Sequence, residues 1–125
     1  MPMPLPTFDD VLAAAARIAP HAHATPVLRS RALDALAGCQ LHFKAEPLQR
    51  TGAFKFRGAC NAVWALDDAT AARGVVTHSS GNHGAALALA ARTRRIACHV
   101  VVPEGANAAK LANIVRYGAQ LHTCA

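Results

Sequence analysis

Aromatic side chains are scarce in this chain: they make up 5% of it, with one Trp and one Tyr. Single-stranded nucleic acid is gripped by aromatic platforms interleaved with basic residues, and the sequence has no such ladder. Its net charge of +6 therefore reads as a solvated basic surface, the more so because the arginines are scattered apart from Arg92, Arg94 and Arg95. No nucleic-acid partner is expected. Long apolar runs are also missing. None approaches the roughly 18 residues needed to span a bilayer, so no membrane partner is expected and a cytoplasmic location is. Met1 to Thr7 carries three prolines and no basic residue, which argues against a secretion signal and for a frayed arm. Cys39, Cys60, Cys98 and Cys124 contain no Cys-x-x-Cys pair, which disfavours zinc and thioredoxin-like chemistry. They read as reduced, small apolar residues. His21-Ala22-His23 has no third candidate ligand nearby, so it reads as a polar loop near Pro20, and no metal site is expected.

What is present is a globular composition. With 125 residues and 53% hydrophobic content, the chain fits one domain, or one and part of another. Thr7 is placed to cap a helix to about Ile18, with Asp9 and Asp10 in its first turn. Ser30 caps a short helix ending at Gly38. Gln40 to Glu46 alternates, with Leu41, Phe43 and Ala45 on one face, and reads as a strand. A helix is expected from Phe54 or Lys55 to about Leu66, despite Gly58. A repeating pattern follows: strand 75–78, helix 83–93, strand 96–102, helix 107–117 and strand 120–124, with Gly118 just past the last helix. Strands alternating with helices predict an α/β fold with a parallel sheet and right-handed crossovers. Val100-Val101-Val102 is a continuous apolar run, which predicts a strand covered on both faces.

Two stretches stand apart from this scaffold. Thr51-Gly52-Ala53-Phe54-Lys55-Phe56-Arg57-Gly58 sets a lysine between two phenylalanines at the head of a helix. A lysine amine in water is protonated at neutral pH and is a poor nucleophile. Apolar neighbours such as Phe54 and Phe56 can exclude water and free the lone pair, and such an amine condenses with aldehydes. The second stretch, Ser79-Ser80-Gly81-Asn82-His83-Gly84, joins a strand to a helix. Gly81 and Gly84 permit positive φ and close backbone approach. Free N–H groups and the positive end of the helix dipole point out of such a loop, ready for a phosphate or carboxylate. Ser79, Ser80 and Asn82 add side-chain donors. The loop falls at the carboxyl end of a parallel strand, where open α/β sheets bind ligands. Taken singly, each stretch also has a plain structural explanation. One is a surface lysine whose stem passes two core phenylalanines. The other is an ordinary turn capped by Ser80 or Asn82.

Taken together and in order, Lys44 to Ala59 (Lys-Ala-Glu-Pro-Leu-Gln-Arg-Thr-Gly-Ala-Phe-Lys-Phe-Arg-Gly-Ala) and Ser79 to Gly84 resemble the fold type II pyridoxal phosphate (PLP) enzymes, the tryptophan synthase β-like superfamily. The resemblance is to the serine/threonine dehydratase and serine racemase branch. It runs from about Arg17 to Ala125 and takes in Ala24-Thr25-Pro26-Val27, Val100 to Glu104, and Tyr117-Gly118-Ala119. Pro47 departs from the Asn or His that relatives often carry before Leu-Gln. Cysteine-forming relatives show Lys-Asp-Arg and Gly-Asn-Thr where this chain has Lys55-Phe56-Arg57 and Gly81-Asn82-His83, which favours dehydratase or racemase over sulfhydrylase.

The resemblance implies two α/β domains with PLP in the cleft between them. Residues 1–70 would contribute to the large domain and 71–125 would form part of the small one, with the glycine-rich phosphate loop and any divalent-cation site beyond Ala125. Lys55 matches the lysine that holds PLP covalently and handles the α-proton. Phe54 matches the residue packed near the pyridine ring, and Asn82 the asparagine bonded to the ring oxygen. Ser79, Ser80, Gly81, Asn82 and His83 match the site for the substrate carboxylate, and Ser80 also the acid/base that racemases use on the opposite face. The implied reaction is loss of water from a hydroxy amino acid to give a 2-oxo acid and ammonia, by an enzyme that is a homo-oligomer at full length. The alternatives are an amino acid racemase of the same family and a non-catalytic remnant that binds a small anion or a partner chain through the same loop.

Overall fold

The protein is described by a computed structural model covering residues 5–125. Residues 1–4, the start of the arm expected before Thr7, lie outside the described residues. Thr7 caps α1 (Phe8–Ile18) reciprocally: its hydroxyl accepts from the Asp10 N–H at 3.3 Å, and the Asp10 carboxylate accepts from the Thr7 N–H at 2.7 Å. Ser30 caps α2 (Arg31–Ala37), and Gly38 ends that helix at a φ of 68°, where a side chain would be strained.

The strand expected over 40–46 is shorter. Only β2 (Phe43–Lys44) pairs, antiparallel, with β1 (Val27–Leu28). Pro26 before β1 and Pro47 after β2 have no N–H to offer a ladder. The chain instead curls through 3₁₀ turns at Glu46–Leu48 and Arg50–Gly52. Next come α3 (Lys55–Ala65) and a short helix that periodicity had not marked, α4 (Asp68–Ala72). Asp67 caps α4 by accepting from the Thr70 N–H at 2.8 Å.

The remaining elements follow the expected alternation: β3 (Val75–His78), α5 (Asn82–Arg94), β4 (Cys98–Pro103), α6 (Ala108–Arg116) and β5 (Gln120–Cys124). The three strands are parallel, in the order β3-β4-β5. Successive crossovers of one hand in that order put α5 and α6 on the same face. That face holds the core: Cys98, Val100 and Val102 of β4 lie under Ile114 of α6 and the alanines of α5. The opposite face is open, with Val76 70% exposed. This corrects the reading of Val100-Val101-Val102 as covered on both sides: Val100 and Val102 are buried while Val101 is only half-buried.

Helix α5 is the hub. Ala85, Ala86, Ala88, Ala90 and Ala91 are all buried, around much of its circumference. Methyl-sized side chains let it touch α3, α6 and the sheet at once, which larger residues would prevent. On its α3 side it meets Phe56, Ala59, Cys60 and Val63 in one continuous cluster. All four cysteines are free thiols, and burial pushes Cys98 up to about 11.

Candidate active site

The lysine is delivered by a turn built on Gln49. Its buried side chain accepts from the N–H groups of His23 and Arg50 and donates to the His23 carbonyl, each at 2.9 Å. Two consecutive residues, Thr51 (φ 62°) and Gly52 (φ 72°), then adopt left-handed geometry, and α3 begins at Lys55. Glycine suits that region. Threonine is β-branched and strained there, and its Oγ1 is buried without a hydrogen-bond partner.

A charge clamp holds the turn from the other side. Arg57 forks onto Glu46, with Nε to Oε2 at 2.9 Å and Nη2 to Oε1 at 2.7 Å. Thr25 donates to Glu46 Oε1 at 2.6 Å, and Lys44 Nζ donates to the Thr25 carbonyl at 2.6 Å. The Arg57 guanidinium, with help from Thr25, holds the Glu46 carboxyl down at about 2. Sequence reading assigned no role to Thr25, Glu46, Gln49 or Arg57. Glu46 and Arg57 fit no helical i,i+4 spacing, so only the family motif could have flagged them.

Lys55 stands at the first turn of α3 with its ammonium 5.2 Å from the centre of the Phe54 ring. The expected drying of this amine by both phenylalanines is not found. Phe56 is fully buried in the core, and Lys55 and Phe54 are exposed. Consecutive helical residues point about 100° apart, so Phe56 cannot share the face of Lys55. Of the three lysines, Lys44 is tied to the Thr25 carbonyl, whereas Lys55 lines a depression of about 300 Å³ with Phe54, Gly58, Ala59 and His83.

The second wall is the loop after β3. Ser79 continues the ladder, donating its N–H to the Val101 carbonyl at 3.1 Å. Its Oγ accepts from the N–H groups of Gly81 (3.3 Å) and Gly84 (3.0 Å). Ser79 therefore pins the turn, and neither Ser80 nor Asn82 caps the helix; Gly81 occupies the cap position without a side-chain bond. Neither loop glycine has a positive φ, and a Cβ on Gly81 would meet nothing within 4 Å, so only Gly84 is required for its size. A Cβ on Gly84 would lie 2.9 Å from the Ser79 carbonyl oxygen and 3.0 Å from Ile114 Cδ1. The first-turn N–H groups of Asn82 and His83 face away from any intrahelical acceptor. His83 joins Lys55 on the depression, whereas Ser79, Ser80, Gly81 and Asn82 flank it without lining it. No group of three or more metal-ligating side chains is present among the described residues. No helix there is long and apolar enough to cross a membrane.

Residues 18–125 match the family described as pyridoxal-phosphate dependent enzyme. The chain is 56% identical to a serine racemase of Oryza sativa subsp. indica over 108 residues, covering 86% of this chain and 32% of that one. It is 52% identical to a β-hydroxyaspartate dehydratase of Paracoccus denitrificans over 122 residues, covering 98% of this chain and 39% of the relative. The crystal structure of serine racemase from Dictyostelium discoideum superposes with a TM-score of 0.92 at 51% identity, over 94% of this chain and 38% of that one. The chain thus spans about a third of the length of these relatives. With the two motifs on adjoining walls, the parallel sheet behind them and the match over residues 18–125, the chain belongs to the PLP-dependent enzymes of fold type II.

Proposed function

We propose that this chain carries the lysine and the anion-binding loop of a PLP-dependent ammonia-lyase of the serine/threonine dehydratase kind. Such an enzyme removes water from a hydroxy amino acid, and water then returns to leave a 2-oxo acid and ammonia. The observation that carries the reading is the meeting of Lys55 and His83 on one depression. The residues present suit the cofactor: an amine with no acceptor among the described residues, an aromatic face at Phe54, and Gly58 and Ala59 leaving room for a flat ring along one helical turn.

Bound PLP supplies an electron sink for charge left at the substrate α-carbon. Lys55 would hold the cofactor through Nζ, and the same amine is placed to take the α-proton on its own face. The N–H groups of Asn82 and His83, at the positive end of α5, orient the substrate carboxylate together with the Ser80 hydroxyl. Ser79 keeps those donors aimed by occupying the Gly81 and Gly84 N–H groups. The Asn82 amide holds the cofactor's ring oxygen, and Phe54 screens the ring edge from water. Residues 1–70 belong to the large domain and 71–125 to the small one, in an enzyme that assembles as a homo-oligomer. The 56% identity to a serine racemase favours one second reading, an amino acid racemase. In that case Ser80 exchanges a proton with the α-carbon from the face opposite Lys55.

The test is borohydride reduction of the chain with PLP, followed by peptide mapping. Label is expected at Lys55 and should vanish in Lys55→Ala, with the circular dichroism spectrum unchanged. Label at Lys44 or Lys110 would overturn the assignment. Because the depression lies open to water, which weakens every electrostatic contact in it, the chain alone is expected to release little 2-oxo acid from L-serine or L-threonine.

A further inference from the structure

Helix α1 keeps one face without a partner. None of its residues is buried. Its inner side meets α3, where Arg17 donates to the Asn61 side chain. On the outer side, spacings of four, three and four put Phe8, Leu12, Ala15 and Ala19 in one stripe, with Leu5 ahead of it. The stripe changes along its length. Its first half carries large side chains standing in solvent, with Leu5 88%, Phe8 72% and Leu12 52% exposed. Its second half carries only methyl groups and opens into a hollow of about 250 Å³, lined by Ala15, Ile18, Ala19, Ala22, Ala24 and Arg57 among others. Charge changes in the same sense, from Asp9 and Asp10 in the first turn to Arg17 in the last and Arg57 at the hollow. Asp9 makes no ion pair among the described residues.

We propose that this face binds a second copy of the chain: two α1 helices pack antiparallel about a two-fold axis at Leu12, each placing its Phe8 in the hollow of the other. With the axis there, Phe8 faces Ala16 and Leu5 faces Ala19, so large side chains meet methyl groups on both halves, as close helix packing requires. The acidic first turn of each copy comes beside the basic end of the other, and the two helix dipoles run in opposite directions. The occupant is a second copy because α1 carries both halves of the fit at its two ends, knob and hollow, acid and base. A surface of that kind is complementary to itself under a two-fold rotation. An α1 of 11 residues is about 16 Å long, which puts the contact at the small end of specific interfaces, so the dimer is reversible, with a Kd on the order of 10–100 µM. None of these residues lines the Lys55 depression, so the contact is independent of the assigned reaction.

Sedimentation velocity of the tag-free chain from about 5 to about 500 µM tests the proposal. A monomer–dimer equilibrium is expected, and Phe8→Asp should weaken it at least about tenfold. Ala19→Leu should weaken it too, because it fills the hollow, although it adds apolar surface. Val76→Thr on the open sheet face and Leu36→Ser on α2, both at exposed positions, should leave it unaltered. A chain that stays monomeric at the highest concentration overturns the proposal and leaves α1 to another partner. So does association that Ala19→Leu strengthens, or that is lost with Val76 or Leu36. Should Phe8→Asp fail to fold, oxidative cross-linking in a Cys39→Ser background decides. Leu12→Cys should link to itself, and Leu5→Cys mixed with Ala19→Cys should link across the two variants. No link at position 12, or links of position 5 only to itself, refutes the antiparallel pair.

Discussion

The two walls of the depression are held in place by different physics. The loop at Ser79 to Gly84 rests on volume: α5 sits so close to the sheet that position 84 has no room for a methyl group, and the alanines behind it are buried. The turn that carries Lys55 rests on charge and hydrogen bonds: Arg57 on Glu46, Thr25 on Glu46, and Gln49 on His23 and Arg50. Around it large apolar residues such as Leu48 and Phe54 are exposed. The contrast teaches that one wall should tolerate acid and fail on overpacking, while the other should do the reverse.

The largest expected effect removes the residue the two walls share. Phe56 belongs to α3 yet packs in the cluster with α5. Phe56→Ala should cost about 3–5 kcal/mol, read as a drop in urea midpoint, and should loosen both walls together. If hydrogen exchange rises in only one of them, the shared core is not what joins them.

Gly84→Ala comes next and attacks the volume-held wall alone. Ile114 can rotate away from the new methyl, but the Ser79 carbonyl is backbone, so a cost of about 1–3 kcal/mol is expected. The added exchange should be confined to residues 79–84. A neutral result would mean that the loop yields easily.

Glu46→Gln attacks the charge-held wall. Losing one side of a bidentate pair is expected to cost about 1.5–3 kcal/mol at neutral pH. The wild-type clamp should also weaken in acid. The Arg57 hydrogen bonds, with Thr25 and against the opposing effect of burial, leave the folded Glu46 carboxyl at about 2 against an ordinary 4.5, so its contribution is present above pH 4.5 and is lost as pH falls toward 2. Amide exchange measured across that window should quicken at residues 23–25 and 46–57 before it does in α5. Simultaneous loosening of both regions would erase the contrast.

The smallest effect has the opposite sign. Thr51→Gly removes a strained β-branched residue and a buried, unpartnered hydroxyl, against the greater freedom of glycine in the unfolded chain. A gain of about 1 kcal/mol in urea unfolding is expected. A loss would show that the Thr51 hydroxyl has a partner in solution.

Much of this molecule was readable from short windows. Caps at Thr7 and Ser30, the stop at Gly38, the alternation from Val75 onward and both motifs depend on residues within a few positions of one another. Local steric and hydrogen-bonding rules decide such features. Reading ran short where a partner lay far along the chain. The strand over 40–46 shrank because its partner offers two residues, and Val101 is only half-buried because the strand order puts both crossover helices on one face.

The sequence by itself determined the order of helices and strands apart from β1 and α4, the placement of Lys55 at a helix head and of Ser79 to Gly84 at a strand end, and the family. Only the tertiary structure decided that Lys55 and His83 share a depression, that Phe56 turns into the core while Lys55 faces solvent, that Glu46 and Arg57 close a clamp, and that His99 meets His122. The physical reason is one of range. Caps and periodicity are set by neighbours along the chain, whereas these meetings depend on how closely α3 and α5 pack and on the register of parallel strands joined by whole helices.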